Sequence, residues 1–268
     1  MNSLLEIQGI VKSYGTGERR REVLSGVDLT LGSGEALGLV GETGCGKSTL
    51  AKIITGMEEA DRGEISFQGR ALNRLSRRSF AECAAIQYIF QDPYAALEGE
   101  SRVSEVLAEP VRILRHHGFR EYLHPERALA EVGLGVWEEW RERRVHTLSG
   151  GQRQRLCIAR ALIPRPRLLI ADECTSMLDL DTGLEIAGVL KRLSTERGVA
   201  LMVISHQLEI ISRLCDAVCV LHEGRIVERN SVANIRNAAR DPHVRELMQA
   251  MKFFSEDESN HSHVVTGM

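Results

Sequence analysis

The segment Gly41-Glu42-Thr43-Gly44-Cys45-Gly46-Lys47-Ser48 has the spacing G-x-x-x-x-G-K-[ST] and follows the apolar run Ala36-Leu37-Gly38-Leu39-Val40. A helix is expected from Thr49 to Gly56. Strand, glycine loop and helix in that order make a cradle for a phosphate chain. Glycines let successive backbone N–H groups turn inward, and the helix start adds partial positive charge. Lys47 then reaches the β- and γ-phosphates, and the Ser48 hydroxyl binds Mg²⁺. By chance the pattern occurs in roughly one chain in 100 of this length, so the flanking strand and helix carry the reading.

A second group of chemically useful residues lies further on. Asp172 and Glu173 directly follow the apolar run Leu168-Leu169-Ile170-Ala171. Such a pair can be a plain loop. Beside a phosphate-binding loop it suits a metal site, with Asp172 holding Mg²⁺ through water and Glu173 polarising the attacking water. The run Val199 to Ile204 delivers a third group, Ser205-His206.

Composition bounds the function. The chain has 268 residues, enough for one large domain or two small ones, with 43% apolar and 26% charged residues. A net charge of −3 gives no bulk attraction to nucleic acid or an anionic membrane surface, and 4% aromatic content disfavours a stacking platform for single strands. No apolar run approaches a membrane span, and the N-terminus lacks the basic start and long apolar stretch of a signal peptide. Six scattered cysteines without a C-x-x-C pair fit reduced thiols in a cytosolic protein. Cys45, at a helix start in an anion-binding loop, is expected to be acidified.

The positioning elements can be read in order. Strands are expected at Leu4–Ile10, at 23–31 with an interruption near Gly26, at 64–69 and at 85–90, the last ending at Gln91-Asp92-Pro93. Residues 104–144 read as helical, with Pro110 breaking or kinking the first piece and Pro125 opening a second. A long helix follows Leu148-Ser149-Gly150-Gly151-Gln152 and ends at Pro164. Another runs from about Asp181 to Arg197 and is ended by Gly198. Residues 218–221 and 225–228 flank a hairpin turn. Strands alternating with helices predict an α/β fold with a mostly parallel sheet, and the stretch between Gln91 and Leu148 reads as an inserted helical subdomain.

Leu148-Ser149-Gly150-Gly151-Gln152 resembles the signature of the ATP-binding cassette family, and the family's other motifs occur in order. Tyr14 matches the aromatic that stacks on adenine, and Gln91 the glutamine between the subdomains. Ser176-Met177-Leu178-Asp179 matches the dimer-facing loop, and His206 the switch histidine. The resemblance covers about residues 4 to 230. It implies a P-loop NTPase core (1–91 and 161–230), an antiparallel β subdomain, an inserted α-helical subdomain (92–160) and a C-terminal extension (231–268) whose tail is poorly ordered. ATP and Mg²⁺ are the implied cofactors. The implied catalytic residues are Lys47, Gln91, Glu173 and His206. The implied nucleotide contacts are Tyr14, residues Gly41 to Thr49, Ser149, Gly150, Gly151, Gln152 and Asp179, and Ser48, Gln91 and Asp172 are the metal ligands.

The resemblance further implies a head-to-tail pair of cassettes, in which the signature of one chain caps the nucleotide of the other. Phe90-Gln91-Asp92-Pro93-Tyr94 and Ala108-Glu109-Pro110-Val111 look like the dipeptide, oligopeptide and nickel importer branch. That branch uses two different cassettes, two membrane permeases and a solute-binding protein, with the cassettes peripheral on the cytoplasmic face and no nucleic acid. Leu97-Glu98-Gly99-Glu100, Cys174 and Met177 depart from its usual residues. The alternative is a soluble ATPase of translation or DNA repair. The single cassette and short insertion disfavour it. His261 and His263 form a weak candidate for metal delivery.

Overall fold

A computed structural model describes residues 3–72, 78–247 and 249. The chain opens with β1 (Ser3–Tyr14), β2 (Arg21–Gly32) and β3 (Ala36–Val40), then α1 (Lys47–Thr55), β4 (Arg62–Phe67) and β5 (Arg70–Ala71). Next come α2 (Phe80–Ala85), β6 (Ile86–Ile89), α3 (Pro93–Ala96), α4 (Val103–His116), α5 (Pro125–Glu131), α6 (Trp137–Trp140) and α7 (Gly150–Leu162). The rest is β7 (Leu168–Asp172), α8 (Leu180–Arg197), β8 (Ala200–Ile204), α9 (Leu208–Leu214), β9 (Ala217–His222), β10 (Arg225–Ser231) and α10 (Val232–Ala238).

Two sheets result. The first is antiparallel, in the order β2-β1-β4-β5. The second has the order β10-β9-β3-β8-β7-β6, parallel throughout except for the β9–β10 hairpin. Every residue of β3, β7 and β8 is buried, which is why these strands read as continuous apolar runs without alternation. One core cluster packs the helices against one face of this sheet. The other lies between the two sheets and buries Leu50, Ile53 and Ile54 of α1. No helix among the described residues is long and apolar enough to cross a membrane.

Two local readings change, and the interruption expected near Gly26 is borne out. β1 runs on to Tyr14 because Gly9, at φ +59°, takes up a register shift and lets the strand resume. Gly26, at φ +81°, interrupts the alternation of β2 in the same way without ending it. Pro110 does not break its helix: α4 continues through it for 14 residues. An interior proline costs about 3 kcal/mol. The α4 stripe buries Val103, Val106, Leu107, Val111 and Leu114, each contributing about 1.5–3 kcal/mol, so packing wins. The polar tail from 253 onward, with His261 and His263, lies outside the described residues.

Candidate nucleotide site

Four parallel strands end on the same side of the sheet. The chain leaves β3 into the glycine loop, β6 into Gln91, β7 into Glu173 and β8 into His206. Parallel register thus gathers residues more than 160 positions apart at the carboxyl edge, where open α/β sheets place their ligands. A cleft of about 630 Å³ lies there, lined by Val23, the loop residues Gly41–Gly44 and Gly46–Thr49, Gln91, Glu173, His206 and Leu247.

The loop is tightly determined. A Cβ on Gly41 would sit 2.1 Å from the Leu221 carbonyl oxygen, so only glycine lets β9 approach this closely. Gly46, at φ +113°, is the N-cap of α1 and has no side chain over the first amides. Lys47 is buried, and its ammonium donates to the Gly41 and Glu42 carbonyls at 2.8 Å each. The expected acidification of Cys45 is reversed. Burial pushes its thiol up, and the nearby Lys47 charge, which acts in the opposite sense, does not overcome it. Cys45 also does not line the cleft, although every other residue from Gly41 to Thr49 does.

Glu173 is the point of convergence. Among the described residues it is one of four non-glycine residues at positive φ, +46°, and its N–H extends the β7–β8 ladder to the Ile204 carbonyl at 2.8 Å. A left-handed glutamate is strained backbone held by its surroundings. The Gln91 amide donates to its carboxylate at 3.1 Å and to Ser176 Oγ at 3.3 Å, and His206 Nδ1 lies 3.8 Å from the same carboxylate oxygen. Groups delivered by β6, β7 and β8 thus meet at one carboxylate.

Asp172 points inward. It is buried and accepts a hydrogen bond from the Tyr88 hydroxyl on β6. Burial and the Asp172 carboxylate together push the Tyr88 hydroxyl up, so it stays a donor. Sequence reasoning missed Tyr88. Its role follows from the register that sets Tyr88 opposite Ile170 on β7, a parallel pairing across 82 residues that no local pattern encodes.

The remaining expected residues lie outside the cleft lining. Ser149 is the N-cap of α7, and Ser149 and Gln152 bond each other reciprocally in a capping box. Gly150 and Gly151 pack beneath the loop before α8: a Cβ on Gly150 would lie 3.2 Å from Leu178 and one on Gly151 2.5 Å from Thr182. Asp179 caps α8 through the Thr182 N–H and hydroxyl, and these bonds hold its carboxyl below the usual range. Tyr14 is exposed at the end of β1, with the Lys12 ammonium 5.1 Å from its ring centre.

A family profile described as ABC transporter matches residues 24–176. The chain belongs to the ATP-binding cassette (ABC) transporter family. It is 38% identical over 226 residues to the oligopeptide transport ATP-binding protein OppF of Haemophilus influenzae, covering 84% of this chain and 68% of that one. It is 39% identical over 239 residues to the nickel import ATP-binding protein NikE of Escherichia coli K12, covering 86% and 88%. Among solved structures, the dimeric post-hydrolysis state of the cassette MJ0796 bound to ADP and Pi is similar at TM-score 0.71 and 26% identity, over 85% of this chain and 98% of that one. A nucleotide-free cassette of an ABC transporter is similar at TM-score 0.74 and 27% identity, over 92% and 98%. The cassette binds ATP and is an ATPase.

Proposed function

We propose that this chain powers an importer, hydrolysing ATP to drive uptake of nickel, another metal complex or di- and oligopeptides through separate permeases. The convergence of Gln91, Glu173 and His206 at the mouth of the glycine loop carries the hydrolysis, and the likeness to OppF and NikE supports import. ATP lies with its phosphates along the α1 amides and Lys47. Tyr14 stacks on adenine at the rim. Glu173 orients the attacking water, and Lys47 and His206 face the charge of the transferring phosphoryl group. Gln91 reports the state of the γ-phosphate to the helices of residues 92–160, which move as a subdomain on a core of residues 1–91 and 161–230. Residues 231–268 form the extension.

The donors at the cleft suit Mg²⁺. Ser48 and Gln91 in the lining offer a hydroxyl and an amide oxygen, and Asp172, buried behind the lining at the end of β7, would add a carboxylate steadied by Tyr88, all hard oxygens. Bound there, the ion neutralises charge on the β- and γ-phosphate oxygens.

A second cassette, a different chain in a head-to-tail pair, completes the site. Its Ser149-Gly150-Gly151-Gln152 counterpart caps the γ-phosphate, while the same residues of this chain, with Asp179 nearby, serve the partner's nucleotide. The permease contact is the groove of about 410 Å³ beside Gln91, where Met57, Phe90 and Ile113 are exposed. The cassette then rests on the cytoplasmic face of the membrane, and a solute-binding protein acts through the permeases.

The test is a pull-down of the tagged chain from detergent-solubilised membranes of its host. Two polytopic permeases and a second cassette are the expected catch. Recovery of ribosomal or repair proteins alone would overturn the transport reading and leave the ATPase chemistry standing.

A further inference from the structure

The C-terminal segment returns to the nucleotide cleft. Beyond α10 the chain is gripped at several points. The Glu228 carboxylate on β10, itself buried, accepts from the backbone N–H groups of Arg240 at 2.9 Å and Asp241 at 3.1 Å. Asp241 in turn accepts from the N–H groups of His243 and Val244 and opens a helical stretch over 242–247. The ring of His243 stacks on His222 with 4.4 Å between centres and 20° between planes. His222 ends β9, and the carbonyl of the preceding Leu221 is the atom that abuts Gly41 of the phosphate loop. Val244 is fully buried in the main core. Leu247, three residues on and therefore on the same helical face, packs partly against that core and lines the cleft.

The cleft lining is otherwise polar or glycine. Among the described residues its only aliphatic ones are Val23 on β2 and Leu247. A nucleoside triphosphate has two unlike halves. The phosphates need amides and Lys47, whereas the base and sugar need a dry surface. We propose that Leu247 contacts the nucleoside half of bound ATP, which makes the segment 239–247 a structural wall of the nucleotide site. This rests on the cleft being the ATP site. It also ties the extension to the cassette's cycle, because a nucleotide that touches Leu247 stabilises the docked segment and the docked segment stabilises the nucleotide by the same factor.

Calorimetric titration of the full chain with ATP and with inorganic tripolyphosphate tests this. Leu247→Ala should weaken ATP about fivefold, the effect of uncovering part of one aliphatic contact. Tripolyphosphate, which has no nucleoside, should bind within about twofold of wild type, and Leu247→Met should restore ATP affinity. A structural loss would move both ligands. Equal weakening of ATP and tripolyphosphate, or ATP affinity unchanged by Leu247→Ala, overturns the proposal. Wild-type chain that binds neither ligand refutes the ATP reading of the cleft, and the wall falls with it.

Discussion

The chain contains two glycine-rich helix starts, and they are built for opposite situations. At α1 the first amides are bare: Gly46 is the N-cap, no side chain covers them, and β9 presses against Gly41 from behind. Around that start stand Lys47, Gln91, Glu173 and His206, contributed by four strand ends. At α7 the start is already satisfied by the Ser149–Gln152 capping box, Ser149 is exposed, and the nearest packed residues are Leu178 and Thr182. Neither a lysine nor a carboxylate of the cleft accompanies it. A helix dipole attracts an anion only weakly at an exposed end, typically by about 0.3–1 kcal/mol. On the proposed head-to-tail pairing, the α7 start is half a site, effective where another surface supplies the phosphate. The difference teaches that burial and convergent charge, rather than glycine at a helix start, separate a self-sufficient phosphate cradle from one that needs a partner.

The comparison can be broken at either end. The largest effect is expected at the cradle. Glu173→Gln removes the base while keeping the Gln91 and His206 neighbourhood, so turnover of the assembled cassettes should fall roughly 10³-fold while ATP still binds and holds the closed pair. Near-normal turnover would remove Glu173 from its role. At α7, Gly150→Asp places a negative charge where the partner's γ-phosphate would lie, against a Leu178 methyl that can give way. Turnover should drop on the order of 10²-fold, and ATP affinity of the isolated variant chain should be unchanged. A loss of affinity in that isolated chain would mean that α7 serves its own cleft. The smallest of the three concerns support for the cradle. Tyr88→Phe takes away the hydroxyl that Asp172 accepts, and about a tenfold rise in the Mg²⁺ concentration needed for half-maximal turnover is expected. An unchanged Mg²⁺ dependence would make Tyr88 a packing residue.

Much of this is legible in the sequence. The buried parallel strands declare themselves as short apolar runs, and each delivers its polar residue at its end, so the glycine loop, Asp172-Glu173 and His206 are found by reading one step past a run. Motif spacing gives Gln91 and Ser149 to Gln152 through resemblance. What stayed hidden depends on register across distant strands or on burial. Tyr88 meets Asp172 only because β6 lies beside β7. Leu247 reaches the cleft only because Glu228 and His222 turn the segment back. Cys45 sits at a helix start, which alone favours its thiolate, but the loop that wraps Lys47 also buries the sulfur, and desolvation is the larger effect. Gly9 lies inside the strand expected from Leu4 to Ile10 and gives no sign that pairing resumes beyond it as far as Tyr14, whereas the interruption near Gly26 is visible in the sequence and is a register shift within a long antiparallel strand.

On the proposed reading, the cradle at α1 carries its own catalytic groups but is open to one side, and it is completed only when a second cassette closes against it. That dependence is tested most directly by measuring ATP hydrolysis by a fixed amount of this chain titrated with the cassette that co-purifies with it. With a partner whose own catalytic glutamate is replaced by glutamine, so that only this chain's cleft turns over, little turnover is expected from the chain alone, a rise to saturation as that partner is added, and no rise when the same partner also carries an aspartate in the place of its own first signature glycine. Full turnover by the chain alone, independent of its concentration and of added partner, would contradict it.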